Sequence, residues 1–193
     1  MSTTAAQLLP APVSGDRVAL QLPGFGQVVG FVAGQGAPLL LLHSVNAAAS
    51  AAEVRTLHEH FRHSRTVLSI DLPGYGLSDR PDLAYTPRLM TDALLAATTW
   101  MRQRCGGAPV DALALSLGCE FLARAAVEQP AAYRSLALVS PTGFMGTRVW
   151  RGAPGCGTVA RWSWRPAWGP LHPPMAKGQA PRAPSLVRRC CWC

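Results

Sequence analysis

Short apolar runs alternate with longer helix-like segments between about residues 18 and 140 of the chain. Each apolar run has the length of a buried strand, and turn-forming Gly, Pro, Asn or Asp residues often lie between the elements. The pattern predicts an initial hairpin over residues 18–32 and single strands over residues 38–43, 66–71, 110–115 and 135–140. The strand signal therefore runs from near the start of the chain to residue 140.

Three segments between these strands carry helix signals. The first is rich in alanine, and Val54, Leu57 and Phe61 recur on one face of it. The second opens with a proline, which the first turn of a helix tolerates. The predicted helices cover residues 47–62, 87–105 and 117–128. This alternation of strands and helices predicts an α/β fold, with a mostly parallel sheet and helices on both faces.

The carboxyl ends of the predicted strands are where chemistry is expected, because parallel strands bring these ends together at one edge of a sheet. The polar residues at these ends are His43, Ser44, Asp71, Ser116 and Ser140. These five residues are therefore the first candidates for a functional site.

The pentapeptide Ala114-Leu115-Ser116-Leu117-Gly118 joins a predicted strand to a predicted helix. Small residues two positions before and after a serine permit the tight turn of a nucleophile elbow, which exposes the hydroxyl above the sheet. The backbone N–H of Leu117 can then point at a developing oxyanion. A loose pentapeptide alone is more often an ordinary strand–helix turn, and it is the position after the fifth strand-like run that favours a nucleophile at Ser116.

Two further loops follow predicted strands. The segment LLLLHSVN contains His43 and Ser44, and residues 71–79 (DLPGYGLSD) contain Gly74 and Gly76. Together with the elbow, these loops resemble the α/β-hydrolase family, in its order and approximate spacing, over residues 18–144. The implied fold is the N-terminal part of that family's fold, without the last strands and the cap.

The resemblance also implies a set of roles for the residues of the site. Ser116 would be the nucleophile in the hydrolysis of an ester or a similar acyl bond, and the chemistry would use no cofactor. The oxyanion would be held by the N–H of Leu117 and by a second N–H, from Ser44 or Val45. The expected structural supports of the site are His43, Asp71, Gly74, Gly76, Ala114 and Gly118.

The acid and the histidine that would complete a catalytic triad are not identified. In this family's order both follow the serine. After Ser116 the only acids are Glu120 and Glu128, and the only histidine is His172. Glu120 lies one turn along the serine's own predicted helix, where it is placed for packing or solvent. Without a base a serine hydroxyl is a poor nucleophile, so activity is expected to be impaired.

The net charge of +8 is confined to the end of the chain. Residues 1–145 carry equal numbers of basic and acidic residues, whereas residues 146–193 carry eight Lys and Arg and no acid. This tail also holds seven prolines, five of the six tryptophans and four of the six cysteines. The expected organisation is a flexible terminus (1–16), an incomplete hydrolase core (17–145) and a disordered basic tail (146–193). Our hypothesis is that the tail is a frame-shifted or mis-called reading of the gene.

Several other functions are disfavoured. Gly74-Tyr75-Gly76 lacks the third glycine of a dinucleotide loop, and Pro81 follows where a helix should start. His58, His60 and His63 are interpreted as polar residues on a solvated helix face, so no metal site is expected. No apolar run is long enough to span a membrane, and no basic signal peptide is seen, so a cytoplasmic protein is expected. The equal numbers of acids and bases in residues 1–145 disfavour a nucleic-acid partner. A small-molecule substrate is therefore expected. Oligomeric state is left open.

One alternative from a different class is kept. The chain could be a non-catalytic binding protein whose basic, tryptophan-containing tail contacts a membrane or an acidic partner. The tail shows no amphipathic helical period, which an interfacial helix would require.

The composition of the tail leads to a prediction about its order. Eight like charges and seven prolines oppose a packed fold. Amide hydrogen exchange across residues 148–189 should therefore be complete within the shortest labelling time. Slow exchange there would show that the tail is a folded subdomain.

Overall fold

Residues 11–143 are described by a computed structural model of the 193-residue chain. They form a six-stranded sheet with helices between the strands. The strands are β1 (Asp16–Leu22), β2 (Gly26–Ala33), β3 (Pro38–Leu42), β4 (Thr66–Ile70), β5 (Val110–Leu115) and β6 (Tyr133–Val139). Every predicted strand is thus confirmed to within a few residues. The expectations for residues 146–193 lie outside the described residues.

Three α-helices connect these strands, and the first is much shorter than predicted. The helices are α1 (Arg55–Phe61), α2 (Pro87–Arg104) and α3 (Gly118–Glu128). The prediction of a helix over residues 47–62 was wrong for its first half. There, Ser50 caps a short 3-10 turn, Ala51–Val54, by accepting a hydrogen bond from the N–H of Ala52. None of the helices in the described part of the chain is long and apolar enough to cross a membrane.

The sheet has the order β1-β2-β4-β3-β5-β6. β1 pairs with β2 and β2 with β4 in antiparallel fashion, whereas β4, β3, β5 and β6 run parallel to one another. The sheet is therefore mixed and mostly parallel, as predicted. Within residues 11–143, β6 has a neighbour on one side only and so forms an edge of the sheet.

Helices cover both faces of the sheet. The central strand β3 is therefore buried on both sides, and this explains its uniformly apolar sequence. Leu40 and Leu42 lie in the larger core cluster with residues of α2 and α3. Leu39 and Leu41 lie on the other face, in a cluster with Val54 and the partly buried residues of α1. A strand buried on both faces loses the polar alternation of a half-exposed strand. This arrangement confirms the predicted helices on both faces.

The packed body begins ahead of β1, within the segment assigned above to a flexible terminus. Val13 is buried, and Ser14 donates from its N–H and its hydroxyl to the two carboxylate oxygens of Glu59, at 3.0 and 2.8 Å. His58 is also fully buried, with one ring nitrogen 2.8 Å from Ser69 Oγ and the other 3.0 Å from Ser14 O. Its assignment to a solvated face was wrong, because the N-terminal segment covers that side of α1.

An ionic cluster ties together the amino ends of three parallel strands, opposite the edge where chemistry is expected. Asp111, near the start of β5, accepts hydrogen bonds from Arg65, Arg134 and Ser135. Its side chain is only 11% exposed. Burial alone would raise the pKa of Asp111, but the hydrogen bonds from Arg134, Ser135 and Arg65 hold that pKa well below its usual range.

The Asp111 cluster should contribute measurably to stability. Asp111→Asn is expected to lower the free energy of unfolding by about 2 kcal/mol at pH 7, because two arginines lose a largely buried counter-charge. A carboxyl with a lowered pKa stabilises the fold above about pH 4 and loses that effect as the pH falls. The difference between the two proteins in urea denaturation should therefore shrink below pH 4.

The matched control is Asp92→Asn, which breaks an exposed pair with Arg88 on α2. Such exposed pairs contribute only about 0–1 kcal/mol. Equal losses in the two variants, or an Asp111 effect that does not depend on pH, would contradict the role given to the cluster.

Candidate active site

Ser116 lies in a strained turn between β5 and α3. Its φ is +49°, in the left-handed region that residues other than glycine rarely adopt. The turn is held by two backbone hydrogen bonds, from Ser116 N–H to Val139 O (2.9 Å) and from Thr142 N–H to Ser116 O (3.3 Å). The surrounding backbone thus imposes a conformation that the serine would not choose, which is the geometry expected of an elbow.

Gly118 permits a close approach between this turn and the loop after β3. A Cβ at Gly118 would lie 2.6 Å from the backbone oxygen of His43, which is closer than real Cβ atoms come. The register agrees, because Leu42 at the end of β3 is paired with Ala114 near the end of β5. The predicted need for a small residue at position 118 therefore has a specific cause, and the loop after β3 lies beside the start of α3.

His43 is fully buried and is occupied at both ring nitrogens. Nδ1 lies 2.5 Å from Ser44 O, and Nε2 accepts the N–H of Leu72 at 3.0 Å. Nε2 must therefore be unprotonated, and the ring proton lies on Nδ1 and points at Ser44 O. Burial lowers the pKa of His43, more than the contact with Ser44 O and the charges of Asp71 and Glu53 raise it. The ring is neutral at pH 7 and acts as a structural link between two loops.

Asp71 organises the loop after β4. Its carboxylate is fully buried and accepts the N–H of Ala51 at 2.7 Å and that of Leu77 at 2.8 Å. Gly76 has a φ of +50° and passes so close that a Cβ there would lie 2.1 Å from the Asp71 carboxyl carbon. Gly74 also has a positive φ, of +82°, and a Cβ there would meet the ring of Tyr85.

The two candidate donors in the loop after β3 differ in what they bind. The N–H of Ser44 donates to Glu53 Oε2 at 2.8 Å, so it is not free for an oxyanion. Which of Ser44 and Val45 supplies the second N–H therefore stays a prediction. The N–H groups of Val45 and Leu117 have no hydrogen-bond partner among the described residues. These two N–H groups are thus available to a ligand at this edge of the sheet.

Neither acid after Ser116 is placed to orient a base. Glu120 is buried in the first turn of α3 and is held by Arg124 at 2.6 Å. Glu128 lies at the end of α3 and pairs with Arg88 on α2. In the described part of the chain, the only side chain bonded to the Ser116 hydroxyl is that of Thr142, with 3.4 Å between the two oxygens. His172 lies outside the described residues.

The role of Glu53 was missed in the sequence. The residues Ser50-Ala51-Ala52-Glu53 fit a capping box, in which the glutamate would reach back to the N–H of Ser50. Its carboxylate instead reaches Ser44 and Asn46. The capping pattern would have corrected the helix start, but only the tertiary structure shows the contact with Ser44.

A family model of the α/β-hydrolase fold matches residues 37–155, more than half of the chain. The chain therefore belongs to the α/β-hydrolase family. The matched segment includes the loop after β3, the loop after β4 and the turn at Ser116. No curated protein sequence matches the chain.

Solved structures of this fold superpose on the described part of the chain. A serine hydrolase involved in carbazole degradation is 20% identical over 69% of this chain and 50% of its own, with a TM-score of 0.61. An N-formylmaleamic acid deformylase from Pseudomonas putida S16 is 26% identical over 65% and 47%, with a TM-score of 0.56. The haloalkane dehalogenase DatA from Agrobacterium tumefaciens C58 is 27% identical over 65% and 41%, with a TM-score of 0.55. The chain spans half or less of the length of each.

The strain at Ser116 should be measurable as a difference between two variants. Ser116→Gly should be more stable than Ser116→Ala by about 1 kcal/mol, because only glycine tolerates a positive φ without cost. Both variants lose the hydroxyl, so the comparison isolates the backbone. Chemical denaturation of both proteins provides the measurement.

The same pair of substitutions at Ser135, in β6, serves as the control. There the backbone is extended, and glycine should be the less stable of the two by about 0.5–1 kcal/mol. If the Ser116→Ala variant were more stable than Ser116→Gly, as expected for the same pair at position 135, the turn at Ser116 would not be strained.

Proposed function

We propose that this chain carries the nucleophile half of a serine-dependent hydrolase for an ester or a similar acyl bond of a small molecule. The observation that carries the proposal is the left-handed backbone of Ser116 at the end of β5, where it opens α3. A serine held in this conformation at the carboxyl edge of a parallel sheet is typical of a nucleophile on an elbow.

The proposed chemistry uses few groups of the described chain. Ser116 Oγ attacks the acyl carbon and forms a bond to it, while the carbonyl electrons move onto oxygen. The N–H groups of Val45 and Leu117 donate to that oxyanion, which is stabilised because fixed dipoles need no reorganisation. The oxyanion then collapses, the bond from the acyl carbon to the leaving oxygen breaks, and the departing alkoxide takes up a proton equivalent to the one that Ser116 released to solvent. Water attacks the acyl-enzyme in the same way, which frees the acid and restores the Ser116 hydroxyl.

The weak point of this chemistry is the proton of Ser116. His43 and His58 are occupied at both ring nitrogens. His60, in the last turn of α1, and His63 lie shortly ahead of β4, at the amino edge of the parallel strands and thus opposite Ser116. Thr142 is a neutral hydroxyl and cannot act as an effective base. We therefore propose that the chain by itself has little or no turnover.

Acyl chemistry is favoured over the dehalogenation named for one of the similar structures. The residue at position 116 is a serine and not an aspartate. One of the similar structures, at 26% identity, is a deformylase, which by its name acts on an acyl group. Removal of a formyl group is itself an acyl transfer.

A second candidate rests on the distribution of charge. All of the net charge of +8 lies in residues 146–193, beside several tryptophans. This composition supports a non-catalytic protein that binds a membrane or an acidic partner. Binding of the full chain to anionic but not neutral lipid vesicles, lost at high salt, would favour this function over catalysis.

The proposed function predicts that turnover by this chain stays close to background. An elbow and an oxyanion site alone leave a rate of about 10³–10⁴ over water, whereas loss of the base forfeits roughly another 10⁶ in kcat. The full chain should hydrolyse p-nitrophenyl acetate no faster than its Ser116→Ala variant within a few-fold. Robust turnover that depends on Ser116 would contradict the missing base, and His172→Ala would then be the next variant to measure.

A further inference from the structure

Glu53 lies outside the nucleophile turn, yet its carboxylate gathers the loop that follows β3. Oε2 accepts the N–H of Ser44 at 2.8 Å, and Oε1 accepts the hydroxyl of Ser44 at 3.0 Å and the amide of Asn46 at 2.6 Å. Asn46 in turn accepts the N–H of Ala48 at 2.9 Å. A single side chain therefore fixes several groups of the loop.

The bond to Ser44 determines which way the preceding peptide faces. In a planar trans peptide the carbonyl and the N–H point in opposite directions. Since the N–H of Ser44 points at Glu53, the carbonyl of His43 points away from it. That carbonyl is the atom that approaches Gly118 at the start of α3. Glu53 thus sets the side of the loop that lies against the helix of the nucleophile.

The next peptide, between Ser44 and Val45, is fixed through its carbonyl group. The carbonyl of Ser44 faces Nδ1 of His43 at 2.5 Å, so the N–H of Val45 points away from the imidazole. This N–H has no partner among the described residues. With the N–H of Ser44 held by Glu53 and its carbonyl facing His43, Val45 is the next residue of the loop, and its N–H is available.

We propose that Glu53 is a positioning residue of the oxyanion site, which withdraws the N–H of Ser44 and leaves that of Val45 to act with Leu117. This inference rests on the proposed function of Ser116. Glu53 acts through the loop, because its oxygens are bonded to Ser44 and Asn46 and not to the Ser116 turn.

The charge of Glu53 is suited to this role. Desolvation is the largest single effect and raises the pKa of Glu53, but the hydrogen bonds from Ser44 and Asn46 together outweigh it, so the pKa is lowered. The group is therefore an ionised acceptor at neutral pH. A charge-assisted hydrogen bond from a backbone N–H is stronger than one to a neutral oxygen, so the loop is held more rigidly than an amide could hold it.

The chain offers a matched control in Glu59. Its carboxylate accepts the N–H and the hydroxyl of Ser14, at 3.0 and 2.8 Å, so it repeats the contacts that Glu53 makes with Ser44. Those contacts hold the N-terminal segment against α1, away from the loop after β3. Removing Glu59 therefore deletes the same chemistry without touching the proposed site.

The test uses a small alkyl fluorophosphonate with the full-length chain at pH 9. Ser116 Oγ forms a bond to phosphorus, fluoride leaves with the bonding pair, and the hydroxyl proton goes to solvent hydroxide. Intact mass over hours gives the rate of labelling, and Ser116→Ala gives the background. Amide NMR spectra of the free and labelled protein then report which N–H groups receive the phosphonyl oxygen.

In the unaltered chain, labelling should shift the amide protons of Val45 and Leu117 downfield and leave that of Ser44 in place. Glu53→Ala should label at least about tenfold more slowly, since loss of one oxyanion donor costs about 10²–10³ in rate. Glu53→Gln, which keeps one acceptor oxygen, should recover part of the rate. Glu59→Ala should label within about twofold of the unaltered chain.

The outcomes separate the two proposals. Labelling of Ser116 with a shift at Ser44 in place of Val45, or equal rates for Glu53→Ala and Glu59→Ala, overturns the role of Glu53 and leaves the proposed function intact. Labelling no faster than in Ser116→Ala overturns the proposed function, and the role of Glu53 with it.

Discussion

The buried carboxylate of Asp71 is the constraint on which the functional edge of this sheet depends. A buried carboxyl group must have its hydrogen bonds satisfied, and Asp71 obtains them from the N–H groups of Ala51 and Leu77, in two different segments. The first of these segments leads into Glu53, and the second holds Gly76 against the carboxylate. One carboxyl group thus joins the two segments that flank the site.

His43 extends this constraint to the loop after β3. The imidazole accepts a hydrogen bond from the loop after β4 through Leu72 and faces the backbone of Ser44 with its other nitrogen. The same residue's carbonyl lies against Gly118. Because each contact uses a different atom of His43, this one residue joins the ends of β3, β4 and β5. The elbow at Ser116 is built on that junction.

Sequence patterns predicted those features of the fold that depend on neighbouring residues in the chain. The apolar run of β5 and the small residue at position 118 were sufficient to place the turn at Ser116. Other features depend on contacts between distant residues, and no local pattern contains them. The polar face of α1 suggested solvent around His58, but Ser14 covers it from the N-terminal segment. The alanine-rich segment suggested a long helix, but its first residues take their conformation from the contacts of Glu53 with Ser44 and of Asp71 with Ala51.

The strand order has a consequence for how the chain is made. β3 (Pro38–Leu42) pairs with β4 and β5, both of which follow it in sequence, and all five of its residues are buried in the completed sheet. During synthesis from the N-terminus, this leucine-rich strand therefore has an open edge until Leu115 has left the ribosome. Exposed apolar strands with unpaired edges are prone to intermolecular pairing. The exposure of this strand to intermolecular pairing during synthesis therefore ends only when β5 has docked beside it.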